Sequence, residues 1–152
     1  MARPTSTRTE PDARDTGTYQ EVQQFLDRLA KALTRGDTAA VVALWEPPAL
    51  VIGDDDVRSV SSNEEIAMFF AGAKQRYNDQ GIVDTRGEIV NLRWPTERIA
   101  TVEVRWPYLD AQGHELGAET STYTLRRDDN GELRLRVALM HGVEAPQRRT
   151  HH

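Results

Sequence analysis

The stretch from Ala32 to Phe70, ALTRGDTAAVVALWEPPALVIGDDDVRSVSSNEEIAMFF, decides the fold. Gly36 ends one helix, because glycine takes the left-handed conformation without strain. Asp37 caps a shorter helix carrying Val41, Val42, Leu44 and Trp45, and Pro47-Pro48 cannot continue it. ALVIG and VRSVS flank Asp54-Asp55-Asp56 and read as strand, turn, strand. Ser62 and Glu65 form a capping box for a third helix, whose apolar face runs through Ile66, Phe69, Phe70, Ala73 and Tyr77 until Gly81 stops it.

Upstream, Thr18 and Glu21 form another capping box, and Val22, Phe25, Leu26, Leu29 and Leu33 recur at the spacing of one helical face. Downstream the period changes to two. Val90, Leu92 and Trp94 alternate, then Val102, Val104, Trp106 and Tyr108, then Ser121, Tyr123 and Leu125. DDNG at 128–131 is a hairpin signal. The last strand places Leu133, Leu135, Val137, Leu139, His141 and Val143 on one face, opposite Arg134 and Arg136. Pro107 removes a ladder donor, which predicts a bulge or an edge at that point. Three helices followed by a long meander predict an α+β fold: a cone of three N-terminal helices on a curved, mainly antiparallel sheet enclosing a pocket. Residues 18–144 make the one domain, with a disordered N-terminal arm over 1–17 and a flexible tail over 145–152.

Composition narrows the function classes. The 152 residues suffice for one hydrophobic core and contain no cysteine, so disulfides and thiolate chemistry are excluded. The net charge is −5 without a basic stripe, which argues against nucleic acid and anionic membrane as partners. No apolar run is long enough to span a bilayer and the N-terminus carries no apolar core of a secretory signal. A cytoplasmic location is the expectation. No phosphate-binding loop, dinucleotide fingerprint, nucleophile elbow or HExxH sequence occurs, and neither a cofactor nor a metal is expected.

The sequences LTRGDTAAVVALWEPPALVI and SSNEEIAMFF together resemble the nuclear-transport-factor-two-like superfamily, in particular its SnoaL-like and ketosteroid-isomerase-like bacterial members. The resemblance covers roughly residues 18 to 144. It implies an α+β cone with a pocket, commonly dimeric through the sheet, and a range of functions from isomerases, cyclases and dehydratases to noncatalytic binding modules. The isomerase's general base falls on Gly53, with Asp54 one residue on. Its first-helix phenol falls on Leu29, and its second oxyanion donor on Tyr123. One part is therefore displaced, one lost and one replaced, so fold-level likeness does not transfer the steroid chemistry.

The candidate acid–base groups are Asp54, Tyr123 and His141. Asp54 reads either as part of a solvated turn or as a base at the pocket mouth, its pKa raised by the adjacent carboxylates. His141 reads as a packed strand residue or as a pocket acid or base. A gap-free comparison through DDNG would instead send Met140 inward. Trp106, Tyr108 and Tyr123 form a wall of aromatic side chains, two of them polar-tipped, and Trp45 and Phe70 close the same space, unless all five are plain core. The expected partners are a small hydrophobic or aromatic molecule and a second copy of the chain, paired through an outer sheet face of Thr120, Thr122, Ala138 and Met140. The expected function is that of a SnoaL-like pocket protein of unassigned substrate, performing proton transfer or only binding.

Overall fold

The fold was determined as a computed structural model, which describes residues 13–143. Four helices occur among these residues: α1 (Ala13–Arg35), α2 (Thr38–Leu44), α3 (Asn63–Phe70) and α4 (Ala73–Asp79). The strands are β1 (Trp45–Ile52), β2 (Val57–Val60), β3 (Asp84–Thr85), β4 (Glu88–Arg93), β5 (Ile99–Leu109), β6 (Glu115–Arg127) and β7 (Leu133–Val143). They form one mixed sheet in the order β2-β1-β7-β6-β5-β3, with β4 also on β5. The pairings are antiparallel except β1 with β7.

The expected helix starts and stops were mostly realised. Asp37 accepts from the Ala40 amide at 3.1 Å, and Ser62 from the Glu65 amide at 3.1 Å. Two expectations were wrong. α1 begins at Ala13, so Thr18 is interior to the helix. Glu21, expected to complete a cap, instead makes a two-point ion pair with Arg127 at 2.6 and 2.9 Å. The third helix breaks in two, because Gly72 adopts φ +80° at the start of α4 and Ala71 is extended. Phe70, Ala73 and Tyr77 nonetheless stay on one wall. Residues 1–12 and 144–152, most of the expected arm and all of the expected tail, lie outside the described residues.

α1 buries Val22, Phe25, Leu26 and Leu29 in a core shared with Val102, Val104 and Trp106 of β5, Tyr123 and Leu125 of β6, and Leu135 of β7. Gly87 permits a close approach of α1 to β5. A Cβ there would stand 3.0 Å from Leu26 and 3.1 Å from the Trp106 ring, tighter than an ordinary contact, so a larger residue would push helix or indole aside. Pro107 lies where the edge pairing of β5 passes from β4 to β3, and a register shift follows between Tyr108 and Leu109. This matches the expected irregularity.

β7 departs from the expected alternation. Leu125 pairs with Leu135 and Thr124 with Val137, which leaves Arg136 as an extra residue on β7. This bulge reverses the pleat. Leu133 and Leu135 point inward before it; Ala138 and Met140 point inward after it, while Leu139 and His141 are exposed. The sequence reading assumed an unbroken period of two and so placed His141 inside and Ala138 and Met140 outside. No helix of the described residues is long and apolar enough to cross a membrane.

Candidate functional site

Helices and sheet border a cavity of about 360 Å³, within the size range of small-molecule sites. Its floor and walls follow from the pleat. Inward positions of β5 and β6 face each other in register, Trp106 opposite Glu119, Val104 opposite Ser121 and Val102 opposite Tyr123. Of these, Trp106, Glu119 and Tyr123 reach the cavity, joined by Tyr108. α3 and α4 supply Phe69, Phe70, Arg76 and Tyr77; β1 supplies Trp45 and β7 supplies Met140. Leu29, the position that the resemblance matched to a lost phenol, also lines it.

Five of the seven site residues read from the sequence meet here: Trp45, Phe70, Trp106, Tyr108 and Tyr123. Trp45 and Phe70 stack at a tilt with ring centres 5.7 Å apart. Trp106 donates from Nε1 to the Tyr123 hydroxyl at 3.0 Å, wholly within the interior. The other two are elsewhere. Asp54 is exposed in the β1–β2 turn, closed by the Gly53 amide donating to the Asp56 carbonyl at 2.8 Å. The solvated-turn reading of the aspartates is the one the geometry matches. His141 stands on the outer face, its Nε2 2.7 Å from the Thr122 hydroxyl. His114, read as solvated, is exposed beside Asp110.

Sequence reasoning missed Glu119, Arg76 and Tyr77, and set Met140 inward only in the alternative alignment through DDNG. Glu119 was within reach: it continues the alternation of Ser121, Tyr123 and Leu125 two residues back. Among the described residues it is the one carboxylate lining the cavity, and Arg76 the one cation. Tyr108 donates its phenolic hydrogen to Glu119 Oε1. Tyr77 packs on Tyr108 with ring centres 6.1 Å apart.

The three phenols are held in their neutral form. Burial raises the pKa of Tyr108 most, and its hydrogen bond to Glu119 adds to this. Burial likewise raises Tyr123, against hydrogen bonds from Ser121 and Trp106. Tyr77 is raised by burial and by the negative charge of Glu119, and lowered by the positive charge of Arg76. Tyr77 thus senses both charges of the cavity. The arrangement can hold a mostly apolar molecule, accept a proton at Glu119 and donate hydrogen bonds from phenols. Among the described residues no group of three or more His, Asp or Glu side chains is placed to hold a metal ion.

Comparisons with known proteins give a family and a fold. A family model described as NTF2-like protein (DUF6841) matches residues 20–143. Among curated proteins none matches. A domain of unknown function with a cystatin-like fold from Nostoc punctiforme superposes with a TM-score of 0.65 at 17% identity, covering 92% of this chain and 84% of that one. Aln2 from a Streptomyces species gives 0.63 at 20% identity, covering 86% and 92%. A ketosteroid isomerase-like protein from Erwinia carotovora gives 0.61 at 16%, covering 84% and 96%. Likeness at these identities establishes the fold alone.

Proposed function

The chain belongs to the NTF2-like family, and from that premise we propose that it is a small-molecule pocket protein whose cavity supports cofactor-independent proton transfer, as an isomerase, cyclase or dehydratase would use. One observation carries the reading. Among the described residues a single carboxylate, Glu119, lies in a wall built mostly of aromatic and aliphatic side chains, and a phenol is already bonded to one of its oxygens. Oε1 is oriented by Tyr108, and the second oxygen serves as base toward a carbon or oxygen acid on the ligand. Tyr123 accepts from Trp106, and its own hydroxyl hydrogen serves an oxygen that gains charge. Glu119 takes the role that the sequence reading gave to Asp54 and His141.

A noncatalytic binding module is the competing reading, favoured by the breadth of the apolar wall. Exchange chemistry separates the two. The protein is incubated in D₂O with 2-tetralone, and loss of the α-proton signals is followed by NMR. Proton transfer predicts accelerated exchange that Glu119→Gln slows by about 100-fold or more. Exchange at the buffer rate, with 2-tetralone bound, leaves only the binding module.

We further propose a homodimer through the outer sheet face, where Leu50 and Leu139 are about 40% exposed. Leu139 and His141 take the places there that the sequence reading gave to Ala138 and Met140. Light scattering that returns a monomer at micromolar concentration would refute it.

A further inference from the structure

Arg76 is the cavity's unused charge. It sits in the last turn of α4, lines the cavity and is exposed to solvent, which puts it at the mouth. Several arginines elsewhere in the fold are tied to carboxylates: Arg105 to Glu88 and Glu115, Arg127 to Glu21, Arg134 to Asp128, Arg136 to Glu46. Arg76 makes no ion pair among the described residues. Its guanidinium gives one hydrogen bond, from Nη1 to the Ala71 carbonyl at 3.1 Å, out of the five N–H donors such a group carries. That single bond fixes the side chain across the α3–α4 break and leaves the rest of the fork for another acceptor.

The next residue, Tyr77, lines the same cavity and feels the Arg76 charge; it packs on Tyr108, which is bonded to Glu119. The cavity is therefore polarised, positive at the mouth and negative at the Tyr108–Glu119 wall, with aromatic surface between. A molecule matching this order has an oxyanion at one end, a ring or similar apolar body in the middle, and an acidic hydrogen at the other. We propose that the ligand class is an aromatic or alicyclic carboxylate, or a comparable monoanion, whose charged group is received by Arg76 at the cavity mouth. This rests on the pocket reading given above and adds the sign of the ligand's charge.

The net charge of −5 makes the prediction stringent. The field of the whole protein repels anions, so any preference for one has to arise locally. Salt-bridged, forked recognition of a carboxylate by arginine is the local source.

The test uses two probes of nearly the same shape, 2-naphthoate and 2-naphthamide, titrated by calorimetry at low salt. The wild-type protein is expected to bind 2-naphthoate about tenfold tighter, a difference set by one charge-assisted contact at an open site. Arg76→Gln should remove that preference while leaving 2-naphthamide binding within twofold, and Arg76→Lys should restore part of it. Thermal melts verify that both variants fold. Equal binding of the two probes, or a preference that survives in Arg76→Gln, overturns the inference while the pocket reading stands. Binding of neither probe overturns both.

Discussion

Tyr108 and Glu119 are diagonal neighbours on adjacent strands, and the phenol of one is hydrogen-bonded to the carboxylate of the other at the cavity wall. The bond joins a phenol held neutral by burial and by this hydrogen bond to the cavity's one carboxylate among the described residues. Tyr108→Phe should cost about 1 kcal/mol, less than a fully buried bond to a charge, because both groups are only partly enclosed. A urea-melt double-mutant cycle with Glu119→Gln should show coupling. Additive losses would mean the two side chains do not act as a pair.

Alkaline pH should loosen the fold. Tyr77, Tyr108 and Tyr123 hold their protons more tightly folded than unfolded, where a phenol titrates near 10.0. Above that value the folded state binds more protons, so the stability present at lower pH declines as pH rises past it. Phenolate absorbance near 295 nm should therefore rise in step with loss of the fold. Full ionisation of all four tyrosines in a folded protein would contradict the burial of three of them.

The inward face of β7 can be tested by moving one charge along the strand. Met140→Glu places a carboxylate in the cavity and should destabilise by about 2 kcal/mol or more. His141→Glu, on the outer face, should change stability by no more than about 0.5 kcal/mol. Thermal or urea melts returning the reverse order would restore the unbroken pleat.

Tyr123→Phe should cost about 1–3 kcal/mol, because it strands the Trp106 indole N–H in the interior. Trp106→Phe in the same background should then cost little beyond its lost volume. If Tyr123→Phe is neutral in denaturant melts, another acceptor must reach Trp106.

The sequence made the architecture readable because its signals are local. Asp37, Ser62 and Gly36 act on the backbone within a turn of themselves, and alternation in β5 and β6 survives intact over the cavity. The aromatic wall followed from that alternation. What failed depends on pairing. Arg136 carries no mark of a bulge; the extra residue exists only relative to Leu125 and Thr124 on the neighbouring strand. Thr18 and Glu21 fit a cap pattern, yet the preceding residues continue the helix and Arg127, far along the chain, claims the carboxylate. Arg76 and Tyr77 read as ordinary helix-surface and helix-stripe residues until the break at Gly72 turns that segment to the mouth.

The extra residue at Arg136 works like a shift of reading frame. The side chains from Val137 to Met140 are translated onto the opposite face, until a second extra residue at His141 shifts the register again, so one stretch of β7 can be read two ways without a change in composition. In the frame adopted, the cavity receives a thioether and an alanine; in the other it would receive an imidazole and a leucine. Related chains that gain or lose a single residue at this point would therefore exchange the chemical lettering of the wall while keeping the same scaffold. Divergence in such a lineage can proceed by counting residues as readily as by replacing them.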